Sequence, residues 1–240
     1  MLSSYAEPDD DGLRRCPVCR RIDRPFSRAV AYGSYDGGLR ELIHLLKYNG
    51  VRPAANVLGR MLAESIAGLK ESFAQDQDKV LVIPVPLYKG KRHQRGFNQA
   101  ERIASAALRV LAQPELQLRT DILERTRDTH SQIGLTSHQR RENMRGAFAI
   151  SSAAQVTGRE VLIVDDVYTT GTTVSECAKV LRRAGAARVW VATVARTLKM
   201  ASKHANEEAG FGLPKSRGFE EKSEEGEASL ESVDFQTLRP

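Results

Sequence analysis

Hydrophobic positions along this chain follow two periods. Val161 to Val164 is an unbroken apolar run, β-branched at three of its four positions, which predicts a parallel strand buried on both faces. Lys79 to Pro84 and Arg188 to Ala195 have the same character. Elsewhere the spacing becomes helical. Val174, Cys177, Ala178 and Leu181 fall at i, i+3, i+4 and i+7, with Gly185 placed to end that helix. Ala100, Ile103, Ala104, Ala107, Leu108 and Leu111 mark a second apolar stripe, and Leu39, Leu42, Ile43 and Leu46 a third. His44 lies off that third stripe, as a solvated or partner-bonded histidine. A fourth helix should follow Pro53, whose fixed φ suits a first turn, with Val57, Leu58, Met61, Leu62, Ser65, Ile66 and Leu69 on its apolar side. Thr136 is placed to cap a short helix running to about Asn143. Strand, helix and strand from Val161 to Ala195 make one βαβ unit, so the pattern predicts an α/β fold with a parallel sheet flanked by helices.

The chemistry begins where the central run ends. Asp165 and Asp166 follow Val164, and then come Val167, Tyr168, Thr169, Thr170, Gly171, Thr172 and Thr173. Where a parallel strand gives way to a helix, backbone N–H groups lack partners and the helix dipole favours an anion. Gly171 permits a close approach that a Cβ would block, and the four threonines add hydroxyl donors. Two carboxylates cannot face a phosphate comfortably. Their natural targets are vicinal hydroxyls of a sugar and a Mg²⁺ ion held directly or through water. Phosphate at one end and diol at the other describe a ribose 5-phosphate.

This segment resembles the phosphoribosyl pyrophosphate signature of type I phosphoribosyltransferases. The resemblance implies that Asp165 and Asp166 hold the ribose hydroxyls and the metal, and that Thr169, Thr170, Gly171, Thr172 and Thr173 hold the 5′-phosphate. A second region fits beside it. After Pro84 and Pro86, four cations in seven residues, Lys89, Lys91, Arg92 and Arg95, crowd what reads as one loop, an anion trap. In type I transferases the equivalent loop grips the departing pyrophosphate, which assigns Pro86, Lys89, Arg92 and Arg95 to that role and adds Arg95 to the catalytic pair of aspartates. A third region, Arg125 to Phe148, is long, polar and arginine-rich, as a mobile closing lid would be, with Arg127, His130 and Gln132 as its candidate contacts.

Taken as a set, Pro84-Val85-Pro86, Arg95-Gly96-Phe97-Asn98-Gln99, His130-Ser131-Gln132 and Val164 to Gly171 resemble the ComF family, phosphoribosyltransferase-like proteins linked to DNA uptake. The likeness covers about residues 16 to 197 and includes Ala31 to Gly50 upstream. It implies a type I phosphoribosyltransferase-like core over 79–198, a helical hood over 31–78, and transfer of ribose 5-phosphate to a nitrogenous base. One departure matters. Members of the family often carry a zinc ribbon of two Cys-x-x-Cys pairs, and here Cys16 and Cys19 form one such pair within the segment 1–30. A closed zinc site needs four ligands, so no stable zinc is expected unless His44 or an acidic residue completes the shell or further chain precedes Met1. Cys177 falls inside an apolar stripe and reads as a core thiol.

Composition changes the picture only at the ends. With three cysteines, no bilayer-length apolar run and a polar, acidic start, the expectation is a cytoplasmic chain without membrane insertion. Residues 199–240 hold six Lys or Arg against nine Asp or Glu and show no period, which reads as a disordered acidic tail. The total charge is +6, so residues 1–198 carry +9. Such a body suits phosphorylated ligands or nucleic acid, and charge alone does not separate them. Three readings stand: a transferase using phosphoribosyl pyrophosphate, a non-enzymatic competence factor binding single-stranded DNA or competence-machinery proteins, and a ligand-sensing regulator. The acceptor base carries no motif.

Overall fold

The computed structural model describes residues 24–69, 72–73, 79–129 and 136–197. The Cys16–Cys19 pair, His130, Gln132 and the acidic tail lie outside the described residues. The elements in chain order are β1 (Arg28–Ser34), α1 (Gly37–Tyr48), α2 (Ala54–Ala67), β2 (Val80–Pro84), α3 (Lys89–Arg95), α4 (Gln99–Leu111), β3 (Leu116–Leu118), β4 (Leu123–Arg125), α5 (Ser137–Met144), β5 (Phe148–Ile150), β6 (Glu160–Tyr168), α6 (Thr172–Arg183) and β7 (Arg188–Arg196). Five strands form a parallel sheet in the order β1-β7-β6-β2-β3, and β4 pairs with β5 in a separate antiparallel ribbon. None of the described helices is long and apolar enough to cross a membrane.

The unbroken apolar runs become the central strands because both sheet faces are covered. Leu162 and Val164 of β6 look into a core shared with Ile43, Leu46, Leu58, Leu62, Ile66, Ile103 and Trp190. Val161 and Ile163, one residue out of phase, look into a second core with Val174, Cys177, Ala178, Leu181, Met144 and Phe148. The stripe expected on α6 is buried as a unit, and Gly185, at φ 92°, follows its C-cap Ala184. Thr136 caps α5 as expected, in a reciprocal pair in which Gln139 N–H donates to the Thr136 hydroxyl and Thr136 N–H to the Gln139 side chain.

Ahead of β2, Arg28–Ser34 is an edge strand paired with β7, and α1 and α2 share one core with the sheet. Three expectations need correction. The helix after Pro53 turns Ala54, Ala55, Leu58, Gly59, Leu62, Ala63 and Ile66 inward, leaving Val57 exposed. The basic loop after β2 winds into α3, with no buried residue. Finally, β6 does not stop at the acid pair but continues to Tyr168, because it pairs with β7 as far as Tyr168 opposite Arg196.

Small residues let α2 and α4 approach closely. A Cβ on Gly59 would collide with the Ala106 Cβ and lie 3.0 Å from the backbone at Ala106 and Ala107. Gly59→Ala should therefore cost about 1–3 kcal/mol through overpacking, despite its better helix propensity. Urea unfolding checks this, and a variant at least as stable as the parent would contradict the close approach.

Candidate active site at the carboxyl edge of the sheet

The connection from β2 to β3 runs through α4 on one face of the sheet, while that from β6 to β7 runs through α6 on the other. Strand order therefore reverses between β2 and β6. Open α/β sheets bind ligands in the crevice outside the carboxyl ends of their strands at such a point. The proline-bounded end of β2 and the acid pair of β6 meet there, with Pro84 opposite Val164 and the Val85 N–H donating to the Val164 carbonyl at 2.8 Å.

The pleat divides the two acids. Asp166 shares a face with Leu162 and Val164, and is 4% exposed. Lys47 Nζ, from the last turn of α1, donates to its Oδ1 at 2.8 Å, while its Oδ2 is buried without a partner. Asp165 points to the α6 side, half-buried, and its Oδ1 accepts the Asp166 N–H at 2.9 Å. Burial, then the Asp166 charge, push the Asp165 carboxyl up to about 7, against the pull of Lys47 and Arg125. The Lys47 ammonium is held above the usual lysine value: burial works against it, and Asp166 with Asp165 outweighs burial.

Beyond β6 the turn is short. Gly171, at φ 76°, is the N-cap of α6, a left-handed conformation that favours glycine. The Thr170 and Thr172 hydroxyls lie 2.8 Å apart, Thr172 being buried and Thr169 exposed. A Cβ on Gly171 would run into the Tyr168 hydroxyl and sit 2.6 Å from Arg24 Nη1. The five residues expected to hold a phosphate are thus gathered around one helix start, with an arginine from the beginning of the described chain beside them.

The basic residues of α3 separate into different duties. Arg95 donates to the Gln99 side chain at 2.5 Å and stacks over Tyr48, 5.8 Å from the ring centroid, which brings it to the corner held by Lys47 and Asp166. Lys91 reaches the Thr129 carbonyl at 3.4 Å, and Arg92 pairs with Glu101 at 3.4 Å. Arg92 also lines a cleft of about 340 Å³ with Phe97, Asn98, Glu101 and Arg102, beside α4. Pro86 is half-buried and Lys89 exposed. In the arginine-rich region, Arg127 donates to the carbonyls of Asn143 at 3.0 Å and Arg145 at 2.8 Å, so it closes the end of α5. Cys177 is a core thiol as expected, pushed well above its ordinary value by burial.

Sequence reasoning missed Lys47, Arg24 and the siting of Arg125, whose guanidinium lies over Phe148 and whose Nε is buried without an acceptor. Lys47 falls in the last turn of the expected 39–48 helix, a position ordinarily explained by the helix dipole alone. No group of three or more His, Cys, Asp or Glu stands together among the described residues. A magnesium ion held by a carboxylate together with oxygens of a phosphorylated ligand is compatible with that donor set, and the unpartnered Asp166 Oδ2 is the atom suited to it.

Residues 95–211 match the family model of the phosphoribosyl transferase domain. The chain is 36% identical over 184 residues to DNA utilization protein YhgH of Escherichia coli O157:H7, covering 76% of this chain and 78% of that protein. It is 32% identical over 184 residues to competence protein F of Haemophilus influenzae, covering 76% and 79%. Over 160 residues it is 24% identical to competence protein ComFC of Bacillus subtilis, covering 64% and 58%. Among solved structures, a hypoxanthine phosphoribosyl transferase of Trypanosoma cruzi superposes with a TM-score of 0.38 at 15% identity, over 67% of this chain and 71% of that one.

Proposed function

Since the chain belongs to the ComF family of type I phosphoribosyltransferase-like proteins, we propose that it binds phosphoribosyl pyrophosphate at the carboxyl edge of β6 and transfers its ribose 5-phosphate to a nitrogenous base. One observation carries the reading. A paired carboxylate site, a left-handed glycine and a helix start follow one another along β6 and α6 at the reversal of strand order.

In this mechanism the amides and hydroxyls from Thr169 to Thr173 fix the 5′-phosphate. Asp165 accepts hydrogen bonds from the ribose hydroxyls. Asp166, anchored by Lys47, stands on the opposite face, where its free oxygen can orient the incoming base or a hydrated metal. At the anomeric carbon the bond to the pyrophosphate oxygen breaks as a bond to the base nitrogen forms, and the base gives up its proton to solvent or to a carboxylate. Arg95, with Lys89 and Arg92, stabilises the charge that gathers on the leaving pyrophosphate. Asp166 Oδ2, with oxygens of the ligand, would hold a magnesium ion that would further neutralise that charge. The residues hold and orient, and no covalent nucleophile is needed.

Calorimetry tests the binding step. Phosphoribosyl pyrophosphate with Mg²⁺ should give a saturable titration that EDTA weakens, and a panel of purine and pyrimidine bases should then contain one that releases pyrophosphate. A flat titration removes the proposal; binding without release for any base removes the catalytic half.

Tyr48 favours a second reading in which the site meets single-stranded DNA. Its ring is 64% exposed and backed by the Arg95 guanidinium at 5.8 Å, and bases stack on such a face irrespective of sequence. The relatives named for DNA utilization and competence agree with that. If strands bind there, Tyr48→Ala should weaken oligonucleotide affinity by about tenfold, with a steep salt dependence in the parent. Salt-insensitive or absent oligonucleotide binding eliminates this reading.

A further inference from the structure

Arg24 precedes the first strand, lies outside the matched transferase segment, and yet reaches the turn that starts α6. Its Nη1 is 3.3 Å from the Thr170 carbonyl oxygen, a partner 146 residues away in sequence. The guanidinium lies over two rings, 5.8 Å from the centroid of Phe26 and 5.8 Å from that of Tyr168. Gly171 leaves the space it fills, since a Cβ there would stand 2.6 Å from Nη1.

The side chain has more to give than the protein takes. A guanidinium carries five N–H donors in a rigid fork. Among the described residues one of them goes to a carbonyl, no carboxylate pairs with the charge, and Nε is buried with no acceptor. An enclosed donor without a partner is unfavourable, and a fixed cation at a helix start is matched by an oxyanion. The packing on Phe26 and Tyr168 holds the fork there before any ligand arrives.

We infer that Arg24 is a phosphate-binding residue of this site, supplying to the 5′-phosphate of the sugar a charge that the threonine and glycine turn lacks. The inference rests on the proposed ribose 5-phosphate site and adds to it a residue that lies ahead of β1. Arginine suits the position over lysine because its planar fork can stack on Tyr168 while donating along its edge.

The test uses two probes, ribose 5-phosphate and inorganic pyrophosphate with Mg²⁺, titrated into the full chain and into Arg24→Ala and Arg24→Lys. Arg24→Ala should weaken ribose 5-phosphate by about tenfold or more while pyrophosphate binding stays within about twofold. Arg24→Lys keeps the charge without the stacked fork and should fall between the two. If Arg24→Ala does not fold, the lysine variant decides alone, by the same contrast between probes. Unchanged or tighter ribose 5-phosphate binding overturns the inference and leaves the site intact. Equal weakening of both probes overturns it too, since it would show only a diffuse field. A parent protein that ignores ribose 5-phosphate overturns both the inference and the site it rests on.

Discussion

Lys47→Ala should cost about 3–5 kcal/mol of stability at neutral pH, because it strips the counter-charge from a carboxylate that the fold encloses. The two side chains are 17% and 6% exposed and meet at 2.8 Å. Asp165 precedes Asp166 on the same strand and raises its charge burden from the other face, so the variant would leave two adjacent acids without the Lys47 counter-charge. The loss should shrink as pH falls toward 5, because Asp165, pushed up to about 7, is then neutral and no longer adds its charge to that of Asp166. A second change then separates charge from packing: Lys47→Met with Asp166→Asn removes both charges while keeping volume, and should recover most of the loss. Denaturant unfolding of the parent, the single and the double variant at pH 5 and pH 8 measures each quantity. A single variant within about 1 kcal/mol of the parent at pH 8 would mean that the pair is open to water and that α1 does not anchor the acid.

The parts of this molecule that could be read from its residues are those determined within one element. The strand through Val161 to Val164, the stripe from Val174 to Leu181 and the Thr136 cap each depend on neighbours a few positions away, and each stands where its spacing put it. β1 was not legible. An edge strand covered on one side has a half-exposed mixture such as Arg28 to Ser34, and its partner lies about 160 positions later. The winding of α3 was hidden for a related reason: an exposed helix with no buried residue leaves no apolar period to detect.

The site divides along the same line. Its acids, threonines and glycine are contiguous, so chemistry and spacing announce them together. Lys47 and Arg24 come from 119 and 146 residues upstream of the groups they touch, and nothing local distinguishes them from other cations of a chain carrying 36. Arg127 shows the converse limit. Placed among lid candidates by composition, it spends its donors on the carbonyls that end α5. Which arginines face a ligand is a property of the folded surface, where donors not taken by protein carbonyls become visible.

Replacing Asp165 by Asn should stabilise the protein and disable it, a combination expected where a charge is kept for function against the preference of the fold. Its carboxyl is pushed up to about 7 by burial and by Asp166, while an unfolded chain releases that proton near pH 4. Between about pH 4 and pH 7 the folded state therefore binds more protons than the unfolded one, and this group makes stability fall as pH rises through the window and stay low above it. Lys47 does not reverse the trend near neutrality: its raised ammonium adds stability that is complete below the ordinary lysine range and is lost only above it. Asp165→Asn should flatten that decline and gain about 2 kcal/mol at pH 8, or several degrees in Tm, measured by thermal melts with EDTA present. The same variant should bind phosphoribosyl pyrophosphate with Mg²⁺ at least about a hundredfold more weakly, having lost an acceptor to the ribose hydroxyls and the local negative charge. The Asp165→Asn, Asp166→Asn double variant should show no binding at all. Undiminished affinity in the double variant would mean that the activated sugar, if it binds, does so elsewhere; a single variant that melts below the parent at pH 8 would mean that Asp165 is a structural partner and carries no strain.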